Sequence, residues 1–429
     1  MYEETIFGKL DERLKRAIAD AGYKAPTPIQ ERAMPAVLAG RDLIGCAQTG
    51  TGKTAAFMLP ILNRLINVRK PRKIGHPRAV VLSPTRELAV QTAENVRAYS
   101  KYCEIPFACL IGGVSQYAQV KDIKRGAETI IACPGRLMDL MSQGIVYLDQ
   151  VEVFVLDEAD RMLDMGFLPD IKRIISKLPV KRQSLFFSAT MGREITNLAN
   201  SLVHDAEEVR IAPESPTVEK IHQSAMFVEK SQKDALLVHL LEMHPEWDKV
   251  IVFTKMRHGA DRVNKKLLRA KVAAAAIHSD KTQNQRQRAL EGFKSGKLRV
   301  LVATDIASRG IDVPAVDCVI NVDPPLETES YVHRIGRTAR AGMGGVAVSF
   351  FTGAERGQLK AIERFIKKTI PVDDDHPFHT GAGGDAREAP PWEKKKPRES
   401  AKRRKDKKRR NKPSNLGRRQ ADFRQKPSR

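Results

Sequence analysis

The sequence has few cysteines, and none of them lies in a spacing typical of a metal site or a redox pair. The chain of 429 residues contains five cysteines, and no two of them form a C-x-x-C pair. Cysteine-based zinc sites use such pairs, and disulfide-stapled secreted domains are much richer in cysteine. We therefore expect buried, unpaired thiols in a reducing compartment. The cysteines are Cys46, Cys103, Cys109, Cys133 and Cys318.

Long apolar runs and a secretion signal are also missing. No run approaches the ~20 apolar residues that a membrane-spanning helix requires. The N-terminal sequence MYEETIFGKL lacks the basic-then-apolar order of a signal peptide. We therefore predict a soluble, cytoplasmic protein that does not associate with membranes.

Acidic residues are outnumbered by basic ones, and the excess is concentrated near the C-terminus. The chain carries 74 Lys and Arg against 51 Asp and Glu, a formal net charge of +23. Residues 381–429 hold 19 of the basic and 6 of the acidic residues, which accounts for +13 of that charge. This balance predicts a polyanionic partner, with nucleic acid as the first candidate. A basic protein that is merely soluble is the alternative.

Short, wholly apolar runs recur along the chain, and each is followed by a stretch with helical spacing. They include DLIGC, AVVLS, TIIAC, VEVFVLD and SLFFSAT in the first half, and KVIVFT, VAAAAIH, RVLVAT, CVINVD and VAVSFF in the second. Strands that are apolar on both faces are typical of parallel sheets covered by helices. The alternation therefore predicts an α/β fold with parallel sheets in both halves.

Two segments interrupt this alternation and set the expected domain boundaries. The stretch RIAPESPTVEK at 210–220 contains two prolines and polar residues, which suits a linker. After residue 370 the sequence turns to proline, glycine and dense charge, and cannot bury enough apolar surface to become ordered. We expect a first domain at 1–210, a linker at 211–217, a second domain at 218–370 and a disordered basic tail at 371–429.

The sequence AQTGTGKT at 47–54 has the pattern of a phosphate-binding loop. It follows the run DLIGC and opens the helical stretch AAFMLPILNRLI. Gly52 would let the backbone approach a phosphate, and the N–H groups at the helix start would point at the anion. Lys53 is expected to reach the outer phosphates, and the Thr54 hydroxyl to ligate magnesium. A turn with an ordinary helix cap is the alternative, which the strand–turn–helix context disfavours.

Two adjacent carboxylates end another apolar run, in VLDEAD at 155–160. Ligands of open α/β sheets gather at the carboxyl ends of the strands, so Asp157 and Glu158 are expected to face the same crevice as Lys53. We predict that Asp157 ligates magnesium, partly through water, and that Glu158 orients the attacking water. A carboxylate pair that caps a helix is the common alternative, and the upstream glycine-rich loop favours catalysis over it.

A series of motifs in one order makes the sequence similar to the DEAD-box RNA helicases, from about Phe7 to Phe365. The motifs are GYKAPTPIQ, AQTGTGKT, PTRELA, GG, CPGR, DEAD, SAT, VIVFT, QNQR, ATDIASRGID and HRIGRTAR. The DEAD tetrapeptide together with PTPIQ distinguishes it from DNA-directed and DExH relatives. The compact motor and the arginine-rich tail look most like the small bacterial members of the RhlE type.

The resemblance implies two tandem RecA-like domains with ATP in the cleft between them. Gln30, within a Q motif at 5–33, would hydrogen-bond adenine, and Phe7 and Tyr23 would support that pocket by stacking. Gly310 and Asp312 of the second domain would meet the phosphates and the ribose. The implied ATP-binding residues are Phe7, Tyr23, Gln30, Ala47, Gln48, Thr49, Gly50, Thr51, Gly52, Lys53, Thr54, Gly310 and Asp312. The implied catalytic residues are Lys53, Asp157, Glu158, Arg337 and Arg340.

HRIGRTAR at 333–340 places one histidine and three arginines in eight residues. By the resemblance, Arg337 and Arg340 are arginine fingers that the second domain brings to the γ-phosphate. A planar, forked cation suits the charge that spreads over the phosphoryl oxygens. At a spacing of three on one helix, the two would point the same way. A solvated helix face or an RNA contact is the alternative.

Four further residues are implied to couple the nucleotide state to domain closure: Asp160, Ser188, Thr190 and His333. The alternative for His333 is an ordinary buried histidine.

RNA is implied to lie across both domains, opposite the nucleotide. The implied RNA contacts are Pro84, Thr85, Arg86, Gly113, Gly135 and Arg136 on the first domain, and Arg286 and Thr304 on the second. Few aromatic residues lie among them, which favours gripping of the RNA backbone over base stacking.

The sequence departs from the usual phosphate-loop pattern at one position and from the family pattern at two. Ala47 stands where the phosphate loop usually begins with glycine, and Ala339 stands where HRIGRTAR usually has one. Cys133 replaces a usual threonine, so one hydroxyl contact to an RNA phosphate is absent or replaced.

Together these features predict an ATP-dependent RNA helicase that locally separates short duplexes or remodels RNA–protein complexes. We expect ATP and Mg²⁺ as cofactors, and a monomer in the catalytic form. The tail is expected to bind RNA or to address ribonucleoprotein or RNA-decay partners; a merely solubilising tail is the alternative. An RNA clamp or assembly factor that uses ATP only to lock closed shares all the motifs. The absence of an LSGGQ-like signature argues against a P-loop transporter or kinase subunit.

Overall fold

The computed structural model describes residues 2–48, 50–211, 221–305, 316–338 and 344–380. These residues lie in one unit, Met1–Ala382. Their strands form two sheets, and the pairs are parallel throughout both. The predicted α/β fold with two parallel sheets is therefore confirmed.

The first sheet has seven strands in the order β3-β4-β2-β5-β6-β1-β7. The strands are β1 (Leu43–Cys46), β2 (Ala79–Leu82), β3 (Phe107–Leu110), β4 (Thr129–Ala132), β5 (Val153–Leu156), β6 (Gln183–Ser188) and β7 (Glu207–Arg210). The helices are α1 (Glu12–Asp20), α2 (Pro28–Leu38), α3 (Lys53–Asn67), α4 (Arg86–Tyr99), α5 (Gln116–Lys124), α6 (Pro134–Ser142), α7 (Ala159–Asp164), α8 (Leu168–Ile175) and α9 (Arg193–Leu202).

The second sheet has six strands in the order β10-β11-β9-β12-β13-β8. The strands are β8 (Ile221–Phe227), β9 (Val250–Phe253), β10 (Ala274–Ile277), β11 (Val300–Ala303), β12 (Cys318–Asn321) and β13 (Gly345–Phe351). The described helices are α10 (Lys233–Met243), α11 (Arg257–Arg269), α12 (Gln283–Lys294), α13 (Thr328–Ile335) and α14 (Arg356–Ile366).

Burial on both faces of the first sheet explains why its inner strands are mainly apolar. Successive side chains of a strand point to opposite faces. In β5, Val153 and Val155 join one apolar cluster, whereas Phe154 and Leu156 join the other. A polar residue in such a strand would be buried on one face or the other, which explains why apolar residues predominate there.

The parallel arrangement gathers the motif residues of the first half at one edge of the sheet. Ala47 directly follows β1, Pro84 lies two residues after β2, Cys133 follows β4 and Asp157 follows β5. Since these strands run the same way, their carboxyl ends share an edge. Asp157 thus lies at the same edge of the sheet as the phosphate loop, as the sequence predicts. Pro84, an implied RNA contact, follows a strand at this edge too.

The segment 371–380 is ordered and pairs with the outer strand β8. The Ala225 N–H donates to the Pro371 carbonyl at 2.9 Å, and the Asp373 N–H donates to the Ala225 carbonyl at 2.9 Å. The Thr380 N–H donates to the Phe227 carbonyl at 3.2 Å. The prediction of a disordered tail from residue 371 is therefore wrong for these ten residues, because their backbone satisfies an open sheet edge. We call residues 371–380 the strap; residues 381–429 lie outside the described part.

Other sequence predictions concern the linker, the cysteines and membrane association. Of the expected linker 211–217, only Ile211 is described. Cys318 is buried and the other four cysteines are partly buried. Among the described residues, no helix has the length and apolar character needed to cross a membrane.

Candidate nucleotide site and RNA interface

Two glycines give the loop between β1 and α3 its shape. Gly50 and Gly52 have φ angles of 87° and 95°, in the left-handed region that favours glycine. A Cβ at Gly52 would also lie 2.9 Å from Thr27 Oγ1, so a larger residue would not fit. The helix α3 starts directly afterwards at Lys53, with Thr54 in its first turn. This strand–glycine turn–helix arrangement forms a cradle for phosphate.

The other loop residues support this cradle. The Thr51 hydroxyl donates to the Gln48 carbonyl at 2.8 Å, which closes the turn on itself. Ala47, where phosphate loops usually begin with glycine, is buried and donates its N–H to the Ser188 carbonyl at 3.0 Å. Thr49 lies outside the described residues.

A buried lysine and a buried aspartate lie beside the loop. The Lys53 side chain is 6% exposed, and its Nζ donates to the Ala47 carbonyl at 2.8 Å. Asp157 is 2% exposed, and within the described part of the chain its Oδ1 has no hydrogen-bond partner. Burial raises the pKa of Asp157 to about 7, while the Lys53 ammonium acts in the opposite direction. A buried carboxylate oxygen without a partner is suited to a hard divalent cation, so the residues present fit Mg²⁺.

Glu158 adopts a backbone conformation that is uncommon for its residue type. It precedes α7 with a φ of 54°, is buried, and forms an ion pair with Arg161. Its side chain makes no cap hydrogen bond to the helix. The helix-cap alternative is thus disfavoured. A left-handed backbone is strained for a residue other than glycine, and such strain often occurs at functional sites.

Asp160 joins the DEAD motif to the SAT motif. Its Oδ2 accepts from the Ala189 and Thr190 N–H groups, both at 3.1 Å, and from the Thr190 hydroxyl at 3.3 Å. The Ser188 hydroxyl donates to the Thr190 carbonyl at 2.6 Å. Three of the four residues implied in coupling are therefore in direct contact.

Gln30 lies under the phosphate loop rather than on a surface. It is buried; its Nε2 donates to the Gly52 carbonyl at 3.1 Å, and its Oε1 accepts from the Thr27 N–H at 2.9 Å. The second contact closes the start of α2. Both polar atoms of the amide thus have protein partners, and hydrogen bonding to adenine remains a prediction.

The aromatic residues of the Q motif pack edge to face. Phe7 is fully buried and meets Tyr23 with ring centroids 6.1 Å apart and planes at 69°. The Tyr23 and Tyr99 hydroxyls are hydrogen-bonded at 2.6 Å. Phe7 therefore supports this region from inside the core.

The implied RNA contacts of the first sheet form a connected group at its carboxyl edge. The Thr85 hydroxyl caps α4 by accepting from the Leu88 N–H at 3.3 Å. Gly113 has a φ of 76°, and a Cβ there would collide with the Arg86 guanidinium. Arg136 donates to the Gln119 side chain and to the Val114 carbonyl, both at 3.3 Å. Gly135 is exposed, with open space where a Cβ would stand.

The second half is described in part. Thr304, which follows β11, is buried, whereas His333 is exposed, so the alternative of a buried histidine is wrong. Helix α13 ends at Ile335, and the buried Arg337 lies beyond it. The prediction that Arg337 and Arg340 share one helix is therefore wrong, because Gly336 already ends the helix. Gly310, Asp312 and Arg340 lie outside the described residues.

Arg334 is a central residue of this region that the sequence analysis did not single out. Its guanidinium forms a two-pronged pair with Asp305, at 2.6 and 2.7 Å. It also donates to the Asn321 side chain at 3.1 Å and to the Asp323 carbonyl at 2.7 Å. It thereby ties α13 to the ends of β11 and β12. The three arginines of HRIGRTAR indicated in the sequence that this segment is important. Their spacing alone could not separate a structural arginine from a catalytic one.

Glu87 is a second residue that sequence reasoning missed, and it connects the two halves. Its Oε1 lies 3.0 Å from Arg286 Nε and accepts from Gln283 Nε2 at 3.2 Å. Burial lowers the pKa of Arg286, and Glu87 opposes that effect. Arg286 is therefore engaged with α4 here. PTRELA and QNQR were both recognised as motifs, but their direct contact depends on the folded chain.

Two family models match the chain. One is described as DEAD/DEAH box helicase and covers residues 27–198; the other is described as Helicase conserved C-terminal domain and covers residues 232–342. The ATP-dependent RNA helicase RhlB of Pseudomonas putida is 43% identical over 375 residues, which is 85% of this chain and 94% of that protein. RhlB of Pseudomonas syringae pv. tomato is 42% identical over 366 residues, covering 84% and 92%.

A solved structure is similar to this chain over most of its length. It is S. cerevisiae Dbp5 bound to RNA and ADP BeF3, with a TM-score of 0.75 and 31% identity over 86% of this chain and 95% of that one.

Proposed function

The chain belongs to the DEAD-box family of ATP-dependent RNA helicases, and from this premise we propose which of its residues carry out ATP hydrolysis and RNA binding. It is an ATP hydrolase with two RecA-like parallel-sheet domains. The proposal rests on one observation. Lys53, the unpartnered Asp157 oxygen and Glu158 lie together at the carboxyl edge of the first sheet, next to a glycine cradle.

In this proposal, the phosphate loop binds the nucleotide and positions its outer phosphates. The N–H groups at the start of α3 and the Lys53 ammonium are directed at the phosphates. Thr54 and Asp157 would hold Mg²⁺, which when bound supplies positive charge that stabilises the transferring phosphoryl group. Gln30 would read adenine from its position beneath the loop. The unpartnered, buried Asp157 oxygen supports the metal assignment.

Glu158 is the group that would orient and activate the attacking water. Its carboxylate pairs with Arg161, and its backbone has a positive φ of 54° directly before α7. Arg337 and Arg340 would supply the cations that stabilise charge on the phosphoryl oxygens. Such fingers contribute about 10³–10⁵-fold to rate in related phosphoryl transfers.

ATP and RNA would favour each other's binding because both bind best when the halves are closed. The contact of Glu87 with Arg286 supports this, since it joins α4 of one half to α12 of the other. Asp160 and Thr190 would transmit the nucleotide state, and His333 would take part from the second half. The RNA-bound relative supports an RNA path across Pro84, Thr85, Arg86, Gly113, Gly135, Arg136, Arg286 and Thr304.

The finer placement of the chain within the family is also a proposal. The compact motor and the arginine-rich tail favour a small bacterial member of the RhlE type, although both relatives described above are named RhlB. A cytoplasmic location, a catalytic monomer and ribonucleoprotein or RNA-decay partners of the tail are expectations from the sequence.

Glu158→Gln tests the proposed chemistry most directly. The amide keeps the shape of the side chain but cannot activate water. We expect ATP and RNA to remain bound with affinities close to those of the unmodified chain, while RNA-stimulated ATP turnover falls by about 10²-fold or more. Nucleotide binding and phosphate release are measured on the same preparation.

Glu94→Gln on the exposed part of α4 is the matched control, and it should hydrolyse ATP normally. Normal hydrolysis by Glu158→Gln would remove Glu158 from its assigned role.

A strand-displacement assay with the unmodified chain separates unwinding from an ATP-locked clamp. RNA-stimulated hydrolysis without displacement of a short duplex would favour the clamp.

A further inference from the structure

We propose that the amino edge of the first sheet carries a docking site for an extended, acidic peptide segment of another protein. The site is a cavity of about 540 Å³, formed by the loop between α3 and β2 together with the residues that precede β4 and β5. A volume of this size accommodates a few side chains of a bound ligand. We call it the α3–β2 cavity.

The cavity lies at the opposite edge of the sheet from the proposed catalytic residues. Arg78, Glu128 and Glu152 line it, and each directly precedes a strand, namely β2, β4 and β5. Asp157, by contrast, directly follows β5. Since the strands are parallel, an occupant of the α3–β2 cavity would leave the phosphate loop and the proposed RNA contacts accessible.

An ion network fixes the wall of the cavity. Arg78 is buried and bonds Glu152 at 2.6 Å and Glu128 at 3.2 Å. Arg72 pairs with Glu128 and Lys70 with Glu152, both at 2.9 Å. Three cations therefore share two carboxylates, so the carboxylates are already neutralised before any ligand arrives.

The remaining charge of the cavity is positive. Lys73 also lines it, which makes four lysines and arginines against the two glutamates. Lys73 and the neighbouring Arg69 are exposed, and neither forms an ion pair within the described part of the chain. Two unpaired cations four residues apart on one loop favour a ligand with separated negative charges.

Exposed apolar side chains accompany these cations. Ile74 is 62% exposed, and Val68 and Tyr147 are each about half exposed. The Tyr147 ring stacks on the His76 ring, with the ring centroids 4.8 Å apart. The backbone N–H of Tyr147 donates to the Gly75 carbonyl at 2.8 Å, so Tyr147 is held against the loop. Apolar side chains next to a charged pocket are typical of protein interfaces.

These features favour an acidic peptide over the other available occupants. The guanidiniums of Arg72 and Arg78 are bound to carboxylates and are not available for a two-pronged contact with phosphate. A phosphate backbone would also offer no apolar surface against which the exposed Ile74 side chain could be buried. Residues 381–429 of this chain carry a net charge of +13, so they would be repelled.

The test compares two double variants of the full chain that change the net charge equally. Arg69→Glu with Lys73→Glu alters the cavity loop, and Lys265→Glu with Arg269→Glu alters an exposed face of α11. The probe is a short fluorescent peptide of alternating aspartate and glutamate with one leucine and one phenylalanine at its centre. We expect the first pair to weaken probe binding by about tenfold or more, and the control pair by less than about twofold. RNA-stimulated ATP hydrolysis should be unchanged in both.

A neutral substitution tests the apolar contact separately. Ile74→Asn should weaken binding of the same probe several-fold, but not of a probe that lacks leucine and phenylalanine. Val180→Asn, at another exposed apolar residue, should affect neither probe.

Three results would overturn the proposal. One is the absence of measurable probe binding by the unmodified chain at millimolar concentration. Another is equal weakening by both charge-reversal pairs, which would mean general electrostatic attraction. The third is a loss of affinity for a short oligouridylate in the Arg69→Glu and Lys73→Glu variant alone, with peptide binding intact, which would assign the surface to RNA.

Discussion

Arg334 illustrates how a charged residue within a catalytic motif can serve the fold. Its side chain is 2% exposed and pairs with Asp305, while its guanidinium also lies 5.0 Å from the centre of the Phe253 ring. A guanidinium has five N–H donors in a fixed plane, and here several of them have acceptors near the ends of β11 and β12. The residue therefore fixes α13 against the carboxyl edge of the second sheet.

We expect Arg334→Met to destabilise the protein. The substitution keeps most of the apolar volume but deprives Asp305 of its guanidinium partner. Removal of one member of a buried ion pair costs about 3 kcal/mol in the free energy of unfolding. Urea unfolding monitored by circular dichroism measures the loss. Arg269→Met, at an exposed site on α11, should change the stability by less than about 0.5 kcal/mol; an equal loss in both variants would contradict the structural role of Arg334.

The residues whose positions the sequence predicted well are those that belong to a local pattern. Gly52, Lys53 and Asp157 lie next to strand ends that apolar runs mark clearly, and the parallel fold then brings them together. Arg334 and Glu87 could not be assigned in this way. Arg334 pairs with Asp305, 29 positions away, and Glu87 accepts from Gln283, 196 positions away. Only the folded chain decides which groups these side chains meet.

At the scale of elements, the strap shows where composition misleads. Residues 371–380 include three aspartates and two histidines, which indicates disorder when the segment is considered alone. Its backbone nevertheless bonds to β8, and the Phe378 ring packs edge to face on His239 at 6.0 Å. Strand β7, with the sequence EEVR, is equally hard to recognise, because an edge strand does not need to be apolar on both faces.

A buried histidine makes the strap sensitive to acid. His376 is 8% exposed, and neither ring nitrogen has a hydrogen-bond partner within the described part of the chain. Burial lowers the pKa of His376 below its ordinary 6.5, and His379 and His239 lower it further, whereas Asp373 and Asp374 oppose them. In the released strap the histidine regains its ordinary pKa. Below about pH 6.5 the released form therefore binds a proton that the docked form does not, and docking weakens.

We accordingly expect the strap to loosen as the pH falls from 7 through 6.5 and below. The protection factors of the Ala225 and Asp373 amides, measured by hydrogen exchange, should decrease over this range. His376→Gln should remove most of the pH dependence. His222→Gln, at an exposed position on β8 itself, should leave it in place. Protection that is independent of pH in the unmodified chain would contradict the role of His376.

At the scale of the whole molecule, the contact of α4 with α12 links the half that contains the first sheet to the half that contains the second. Glu87 is buried together with Gln283, and Arg286 is largely buried beside them. A contact of this kind is favourable only when both partners are paired, since either charge alone would be left without water. The free energy of this contact therefore depends strongly on whether the two halves are closed.

Glu87→Gln should weaken the communication between RNA and ATP. The amide leaves the buried Arg286 without its carboxylate, so closure becomes less favourable. We expect RNA affinity in the presence of ATP to fall about tenfold, while ATP affinity without RNA changes little. Fluorescence anisotropy of a labelled RNA, with and without nucleotide, measures both effects, and Glu94→Gln is the control. Loss of RNA affinity that is the same with and without ATP would mean that Glu87 acts only on RNA.

The basic residues beyond the strap should add to RNA affinity without adding specificity. Removal of residues 381–429 eliminates a net charge of +13. We expect weaker RNA binding and a shallower dependence of affinity on salt concentration, since fewer counterions are released. Titrations at several salt concentrations measure both. An unchanged dependence of RNA affinity on salt concentration would show that this segment does not contribute to RNA binding.

The pairing of the strap with β8 has a consequence for how the molecule behaves among its own copies. An outer strand with a free row of N–H and C=O groups is a template on which another chain can add a strand. By occupying part of that row from within the same polypeptide, residues 371–380 shield the sheet against self-association. A chain cut at residue 370 would keep every proposed catalytic residue, yet it would be prone to aggregate through β8.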